Sequence, residues 1–326
     1  MKNTDKNNFH KALDKFLIVK KKKYNYLDVG SSLPLNKFIK FIENNFKIFL
    51  FEPNITEYKK LKKKLSNSTK EYFIENKAIG LNKNLKINVY NNKNLSSALK
   101  LNNAYNSLLP KYKLKKRVKV RAENLNKYIL KNNQNVLKID TQGYGYQCLK
   151  SAKEKLKNIP VIIIELEKYE LYKKQYLNHD ISKFLYDQNY VMIGNTCNYN
   201  KSIISKNRKS NLYFREITYS QDFLFIKNIF TQKLNEQAYE LIIIFLTIFN
   251  FCDLAYFTLS KSNLTSKSKL QLKNIIDIKL ANNKLIVKKL HRDLLKKKIS
   301  VKKFIESISW ENENSIYYNS NMINFT

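Results

Sequence analysis

The sequence predicts an α/β protein with a doubly wound, mostly parallel sheet over residues 1–228 and a helical extension over 229–326. Three observations carry this reading. Tyr24–Gly30, Ile48–Glu52, Val136–Asp140 and Val161–Glu165 are short, unalternated apolar runs, the pattern of strands buried on both faces of a parallel sheet. Segments with apolar residues at helical spacing lie between them. After about Asn228 this alternation stops.

Phe9, Leu13, Phe16 and Leu17 recur at helical spacing and predict an amphipathic helix over residues 1–19, laid against the sheet. The apolar stretch Phe16–Val19 is too short for a signal peptide, and no small-residue cleavage site follows. Lys20–Lys23 reads as a solvated connector, or as a point of peripheral contact with an anionic membrane or other polyanion. Tyr24–Gly30 is the first strand, Phe38, Ile39 and Ile42 mark a helix, and Ile48–Glu52 is the second strand, stopped by Pro53. Glu57–Leu65 is a basic helix, and Glu71–Ile79 is a third strand closing at Gly80. Leu85–Tyr90 alternates as a short strand, and Val118–Arg121 is a strand leading into a helix with Leu125, Tyr128 and Ile129.

The centre of the chain is Asn135–Leu166: strand, glycine-broken turn, a helix marked by Tyr146, Leu149, Ala152 and Leu156, a stop at Pro160, and another strand. Each strand of this βαβ unit ends on a carboxylate, Asp140 and Glu165. In open α/β sheets ligands bind at that edge. Beyond it, Tyr169–Tyr176 is a Tyr-rich connector, and Ile181, Phe184 and Leu185 mark a helix. Tyr190–Gly194 and Phe223–Ile226 are the terminal strands, with a polar loop over Asn195–Asn211 between them. Gly30, Gly80, Gly143, Gly145 and Gly194 all fall just after predicted strands.

The run around Leu241–Leu246 is apolar, but Glu240, Asn250 and Asp253 bracket it. It reads as a buried helix, because a span needs roughly 20 apolar residues. Leu270–Phe304 continues as basic helical segments, and Ser309–Thr326 is a polar, loose tail.

Composition narrows the function. Hydrophobic content of 43% argues against global disorder. The net charge of +35 raises nucleic acid as a partner. Only Arg117, Arg121, Arg208, Arg215 and Arg292 are arginines, however, and Asn, Ile, Tyr and Phe are abundant. This is the mark of codon bias toward Lys, and it makes a nucleic-acid partner the weaker reading, since Arg is preferred for bidentate phosphate and base contacts. Cys148, Cys197 and Cys252, like His10, His179 and His291, are scattered. No disulfide framework or metal site is supported, and a reduced, cytoplasmic protein fits.

Gly30 and Glu52 have the spacing of a first βαβ unit, whose acid about 20 residues on accepts both ribose hydroxyls. A dinucleotide pyrophosphate would need G-x-G-x-x-G, and here Ser32 and Leu35 occupy the second and third positions. An NAD-dependent dehydrogenase is therefore disfavoured.

Asp28-Val29-Gly30-Ser31-Ser32, Phe51-Glu52-Pro53, Ala78-Ile79-Gly80, Lys138-Ile139-Asp140-Thr141-Gln142-Gly143-Tyr144, Leu149-Lys150-Ser151-Ala152 and Ile164-Glu165 occur in this order. Together they resemble the FkbM family of S-adenosylmethionine-dependent methyltransferases over about residues 20–228. Gly145 stands where the family has Glu, and Ser151 where it has Gly. The resemblance implies a Rossmann-like class I methyltransferase fold with an antiparallel terminal strand. It implies S-adenosylmethionine as cofactor, held by Asp28, Gly30, Ser31, Glu52, Pro53, Ala78 and Ser97. Asp140 is the expected catalytic residue, with Gln142, Tyr144 and Glu165 on the substrate side and no metal. The acceptor would be a hydroxyl of a sugar, surface polysaccharide or secondary metabolite. Asp140-Thr141-Gln142-Gly143 is not the [ND]-P-P-[FY] of amino-methyltransferases, so base N-methylation is disfavoured. Two other readings stay open: a non-catalytic binding module, suggested by Gly145, and an RNA- or polyanion-binding protein, suggested by the charge.

Overall fold

The computed structural model describes residues 4–20, 24–106, 108, 111–132, 134–201 and 217–296. These residues form two compact units. One comprises α1 (Thr4–Lys20), Asn36–Asn45 and the described residues of 233–296. The other comprises the described residues of 24–35 and 46–232. The helix α1, expected against the sheet, thus groups with the C-terminal helices.

The second unit is built on β1 (Tyr24–Val29), β2 (Phe46–Phe51), β3 (Tyr72–Glu75), β7 (Asn135–Ile139), β8 (Val161–Glu167), β9 (Tyr190–Lys201) and β10 (Ile217–Lys227). They make one seven-stranded sheet in the order β3-β2-β1-β7-β8-β10-β9. The first five are parallel, while β10 runs antiparallel to both β8 and β9. This is the Rossmann-like α/β architecture expected. Both β1 and β7 are buried along their whole length, as their unalternated composition requires. Around them α2 (Ile55–Leu65), α3 (Gly145–Ser151) and α4 (Asn178–Asp187) follow β2, β7 and β8. The Asn54 carboxamide starts α2 by accepting from Thr56 N at 3.0 Å. Leu137, Ile139, Leu149, Leu156, Ile162 and Ile164 form the centre of this unit's core.

The chain leaves β3 after Glu75 and pairs again as β4 (Ala78–Ile79) in a second, three-stranded sheet, β4-β6-β5. Here β5 (Asn84–Tyr90) and β6 (Leu114–Glu123) form an antiparallel hairpin. The predicted strand Glu71–Ile79 is therefore two strands in two sheets. The cause is Asn76, whose carboxamide donates to Glu52 O at 2.9 Å and Pro53 O at 3.2 Å and turns the chain. Three predicted helices are shorter and tighter than expected, with 3₁₀ turns at Lys37–Phe41, Leu125–Lys127 and Lys153–Asn158. The predicted loop Asn195–Asn211 is strand as far as Lys201, and its remainder lies outside the described residues.

In the first unit Phe9, Leu13, Phe16 and Leu17 are buried, as their spacing predicts. Phe9 packs edge-on to Phe41 at 5.3 Å, and the Lys279 ammonium lies 5.0 Å from its ring centre. The Asp14 carboxylate accepts from the carboxamides of Asn44 and Asn45 at 2.8 and 3.0 Å. Ala238–Ile248 is buried on every side within α5 (Glu236–Ile248), which α6 (Cys252–Lys261) and α7 (Ser266–Leu295) follow. Among the described residues no helix is long and apolar enough to cross a membrane. The predicted tail 309–326 and the end of the predicted basic segment lie outside the described residues.

Gly30 has φ +91°, and a Cβ there would stand 1.8 Å from Asp140 O, so the ends of β1 and β7 meet through it. Gly30→Ala is expected to lower stability by about 2 kcal/mol or more, through left-handed strain plus displacement of Asp140. Urea unfolding measures this, and a loss under about 0.5 kcal/mol would contradict the close approach.

Candidate active site

Strand order reverses between β1 and β7, and a cavity of about 350 Å³ opens at their C-terminal ends. Of the sequence-predicted site residues, Gly30, Glu52, Pro53, Ala78, Ser97, Asp140, Gln142, Tyr144 and Glu165 line it together. Asp28 and Ser31 do not. Both are buried, and the Ser31 hydroxyl is used in donating to Asp28 O at 2.8 Å.

Sheet register creates a buried polar stripe on one face. Asp28 lies opposite Lys138 across β1 and β7, and Asp222 opposite Glu165 across β10 and β8. Glu167 follows Glu165 on the same face, because side chains alternate with period two. The Lys138 ammonium pairs with Asp140 Oδ2 at 3.3 Å. The amide of Gln142 donates to both Asp140 Oδ1 and Glu165 Oε2 at 2.8 Å, while its Oε1 accepts from the Tyr172 hydroxyl at 3.2 Å. The other Glu165 oxygen accepts from Ser220 Oγ at 2.9 Å. Gln142 holds this position at φ 52°, and Ser97 Oγ pins it by donating to its carbonyl at 2.6 Å. Ser97 thus lines the cavity while fixing the loop that carries Gln142.

These contacts divide the charges. Burial works against ionisation of Asp140, but the Lys138 ammonium and hydrogen bonds from Glu165 and Gln142 outweigh it and hold the pKa below the ordinary value. Burial, and then the charge of Asp140, push Glu165 well above its ordinary value. Lys138 thus holds Asp140 toward the carboxylate, while burial pushes Glu165, joined to it through Gln142, toward the protonated acid. Burial also raises Asp28 and Asp222 to about 6 and Glu167 to about 8.

At the far side Glu52 accepts from Asn54 N at 2.6 Å, and burial raises its pKa to about 8. Glu57 lines the same end, paired with Lys60 at 2.7 Å and Lys93 at 3.4 Å. This cavity suits S-adenosylmethionine. Glu52 would hold the ribose hydroxyls, and Asp140, the carboxyl held low by Lys138, lines the same space with Glu165 and Glu167. Asp28, opposite Lys138, keeps one buried carboxyl oxygen that has no hydrogen-bond partner among the described residues. Among the described residues no cluster is arranged to hold a metal.

Glu167, Lys138, Asp222, Ser220 and Tyr172 were not identified from sequence. Period-two alternation from Glu165 would have found Glu167. Gly143 has φ +84°, and a Cβ there would meet the Tyr172 ring at 2.8 Å, which locks the turn before α3. At Gly145 a Cβ would meet Ile164 Cδ1 at 3.2 Å, so this position faces the core rather than the cavity. Ser151, in the place of a family Gly, accepts from Leu125 N at 3.2 Å and donates to Cys148 O at 2.8 Å.

Glu52 and Glu167 carry protons in the folded protein that the unfolded chain releases above its ordinary value of 4.5. Their contribution to stability is full below that value and is lost as pH rises through about 8. Thermal midpoints are accordingly expected to fall between about pH 5 and about pH 9 more steeply in the wild type than in a Glu52→Gln, Glu167→Gln variant. Parallel slopes would contradict the burial of these two acids.

No curated protein matches the chain. Solved structures give distant likenesses. Magnesium protoporphyrin IX methyltransferase from Synechocystis PCC 6803, with bound S-adenosylmethionine, is 8% identical with TM-score 0.31, covering 68% of this chain and 80% of its own. A S-adenosylmethionine-dependent methyltransferase from Clostridium acetobutylicum is 10% identical with TM-score 0.30, covering 67% and 92%. An rRNA methylase from Streptococcus thermophilus is 11% identical with TM-score 0.31, covering 70% and 98%. The family model for the methyltransferase FkbM domain matches residues 24–192, more than half of the chain and the whole strand set from β1 to β8. With its motifs gathered around one acidic cavity, the chain belongs to the FkbM family of S-adenosylmethionine-dependent methyltransferases.

Proposed function

We propose that the chain methylates a hydroxyl oxygen of a sugar, a surface polysaccharide or a hydroxylated secondary metabolite. The observation that supports this most is the Asp140–Gln142–Glu165 arrangement: two carboxyls lining the cavity, bridged by one carboxamide at 2.8 Å, with the Lys138 ammonium 3.3 Å from Asp140. When bound, S-adenosylmethionine supplies a methyl group on a positively charged sulfur, which an oxygen nucleophile can displace. The protein's part is mainly alignment. Glu52 anchors the ribose. Asp140 accepts a hydrogen bond from the acceptor hydroxyl, orients it and takes its proton. Gln142 keeps Asp140 and Glu165 at fixed separation, so the charge that develops is met by groups already in place. The core contact at Gly145, where a Cβ would meet Ile164 Cδ1 at 3.2 Å, offers a packing reason for glycine at this position.

Calorimetric titration with S-adenosylmethionine, combined with turnover on hydroxylated glycans, tests the proposal. Glu52→Ala is expected to lose cofactor binding. Asp140→Asn should keep cofactor affinity within a few-fold and lower kcat roughly 10²- to 10⁴-fold. An Asp140→Asn protein with undiminished kcat would remove the assigned base. A product carrying its methyl on nitrogen would remove the O-methyl assignment.

A further inference from the structure

A second recess, of about 290 Å³, opens on the β5–β6 hairpin. Lys100, Lys113, Arg117 and Lys173 line it with Asn88 and Tyr112, and no carboxylate is among its lining residues. All four cations are exposed, and none has an ion pair among the described residues. The hairpin around it adds to the charge. Lys86 stands directly opposite Lys119, a like-charge pair that costs stability. Codon bias explains many lysines, but it does not explain a concave, acid-free cluster that includes one of the chain's five arginines.

The recess adjoins the methyl-transfer cavity. Leu171 and Tyr172 line the cavity while the next residue, Lys173, lines the recess. Similarly Ile87 faces the cavity and Asn88 the recess. A wall of Tyr90, Leu95, Leu101 and Tyr172 separates them, tied by Lys173 N donating to Lys100 O at 2.8 Å.

Resting on the O-methylation reading above, we propose that the acceptor is an acidic glycan whose anionic group seats among Lys100, Lys113, Arg117 and Lys173 while its hydroxyl faces Asp140. The charges are complementary on both sides: the cavity is acidic and takes a neutral hydroxyl beside a cationic cofactor, and the recess is basic and takes the anion. Arg117 Nε donates to the buried Asn88 carboxamide at 3.3 Å, which orients the guanidinium and leaves its other N–H groups for the anion, and the Tyr112 hydroxyl, donating to Asn106 at 2.6 Å, keeps a lone pair for a sugar hydroxyl. Single-stranded nucleic acid is favoured less, because it is held by exposed aromatic faces. Here Tyr90 is buried and meets Tyr112 edge-on at 5.5 Å and 87°.

The test is calorimetric binding of four probes: an oligogalacturonate, a sulfated heparin oligosaccharide, a neutral dextran oligomer and a single-stranded RNA of matched charge. Each is titrated into the wild type, into Lys113→Glu, Arg117→Glu, and into the control Lys62→Glu, Lys63→Glu on the exposed face of α2. All three proteins are first checked for equal thermal midpoints. The expected result is binding of one or both acidic oligosaccharides, weakened roughly tenfold or more by the hairpin reversal and within about twofold by the control. The carboxylated and sulfated arms then identify the anion. Equal loss in the control, equal binding of dextran, preferential binding of RNA, or no binding of any probe would each overturn the proposal. Because binding is read without turnover, failure of O-methylation would leave this result standing, and failure here would leave O-methylation standing.

Discussion

The Lys138 ammonium is the charge on which the site depends. It comes from the middle strand of a buried sheet, between Asp28 on β1 and the carboxyls carried by β8 and β10. Without it, the stripe would hold only buried acids, and burial would drive all of them neutral. With it, one of them, Asp140, remains charged where strand β7 ends. Burial pushes Glu165 and Glu167 the other way, toward the protonated acid, and Gln142 divides its amide between Asp140 and Glu165.

This arrangement was partly legible in the sequence. Strand-end carboxylates are conspicuous in apolar runs, so Glu52, Asp140 and Glu165 could be placed on one edge of one sheet before any coordinates. Lys138 was visible inside the same motif, but in a chain this rich in Lys its residue type carried no signal. Asp222 depends on antiparallel register with a strand nearly sixty residues earlier, which no local pattern encodes. Ser31 was expected at the cofactor from the resemblance of its motif, and its hydroxyl donates to Asp28 O at the end of its own strand.

The fold was legible to the same depth and for the same reason. Buried parallel strands announce themselves by unbroken apolar runs, and β1, β2, β7 and β8 fall where those runs lie. The break between β3 and β4 did not show, because a single carboxamide, Asn76, makes it through backbone acceptors distant in sequence. Nor did the grouping of α1, since an amphipathic helix records that it has a partner but not which one.

The strand split at Asn76 has an evolutionary consequence. The hairpin bearing the basic recess belongs to the small sheet, so its length and charge can change without shifting the pairing of the seven strands that hold the acids. The positions of Lys113 and Arg117 can therefore vary while the segment 92–98, which lines the cavity and pins Gln142 through Ser97, is kept.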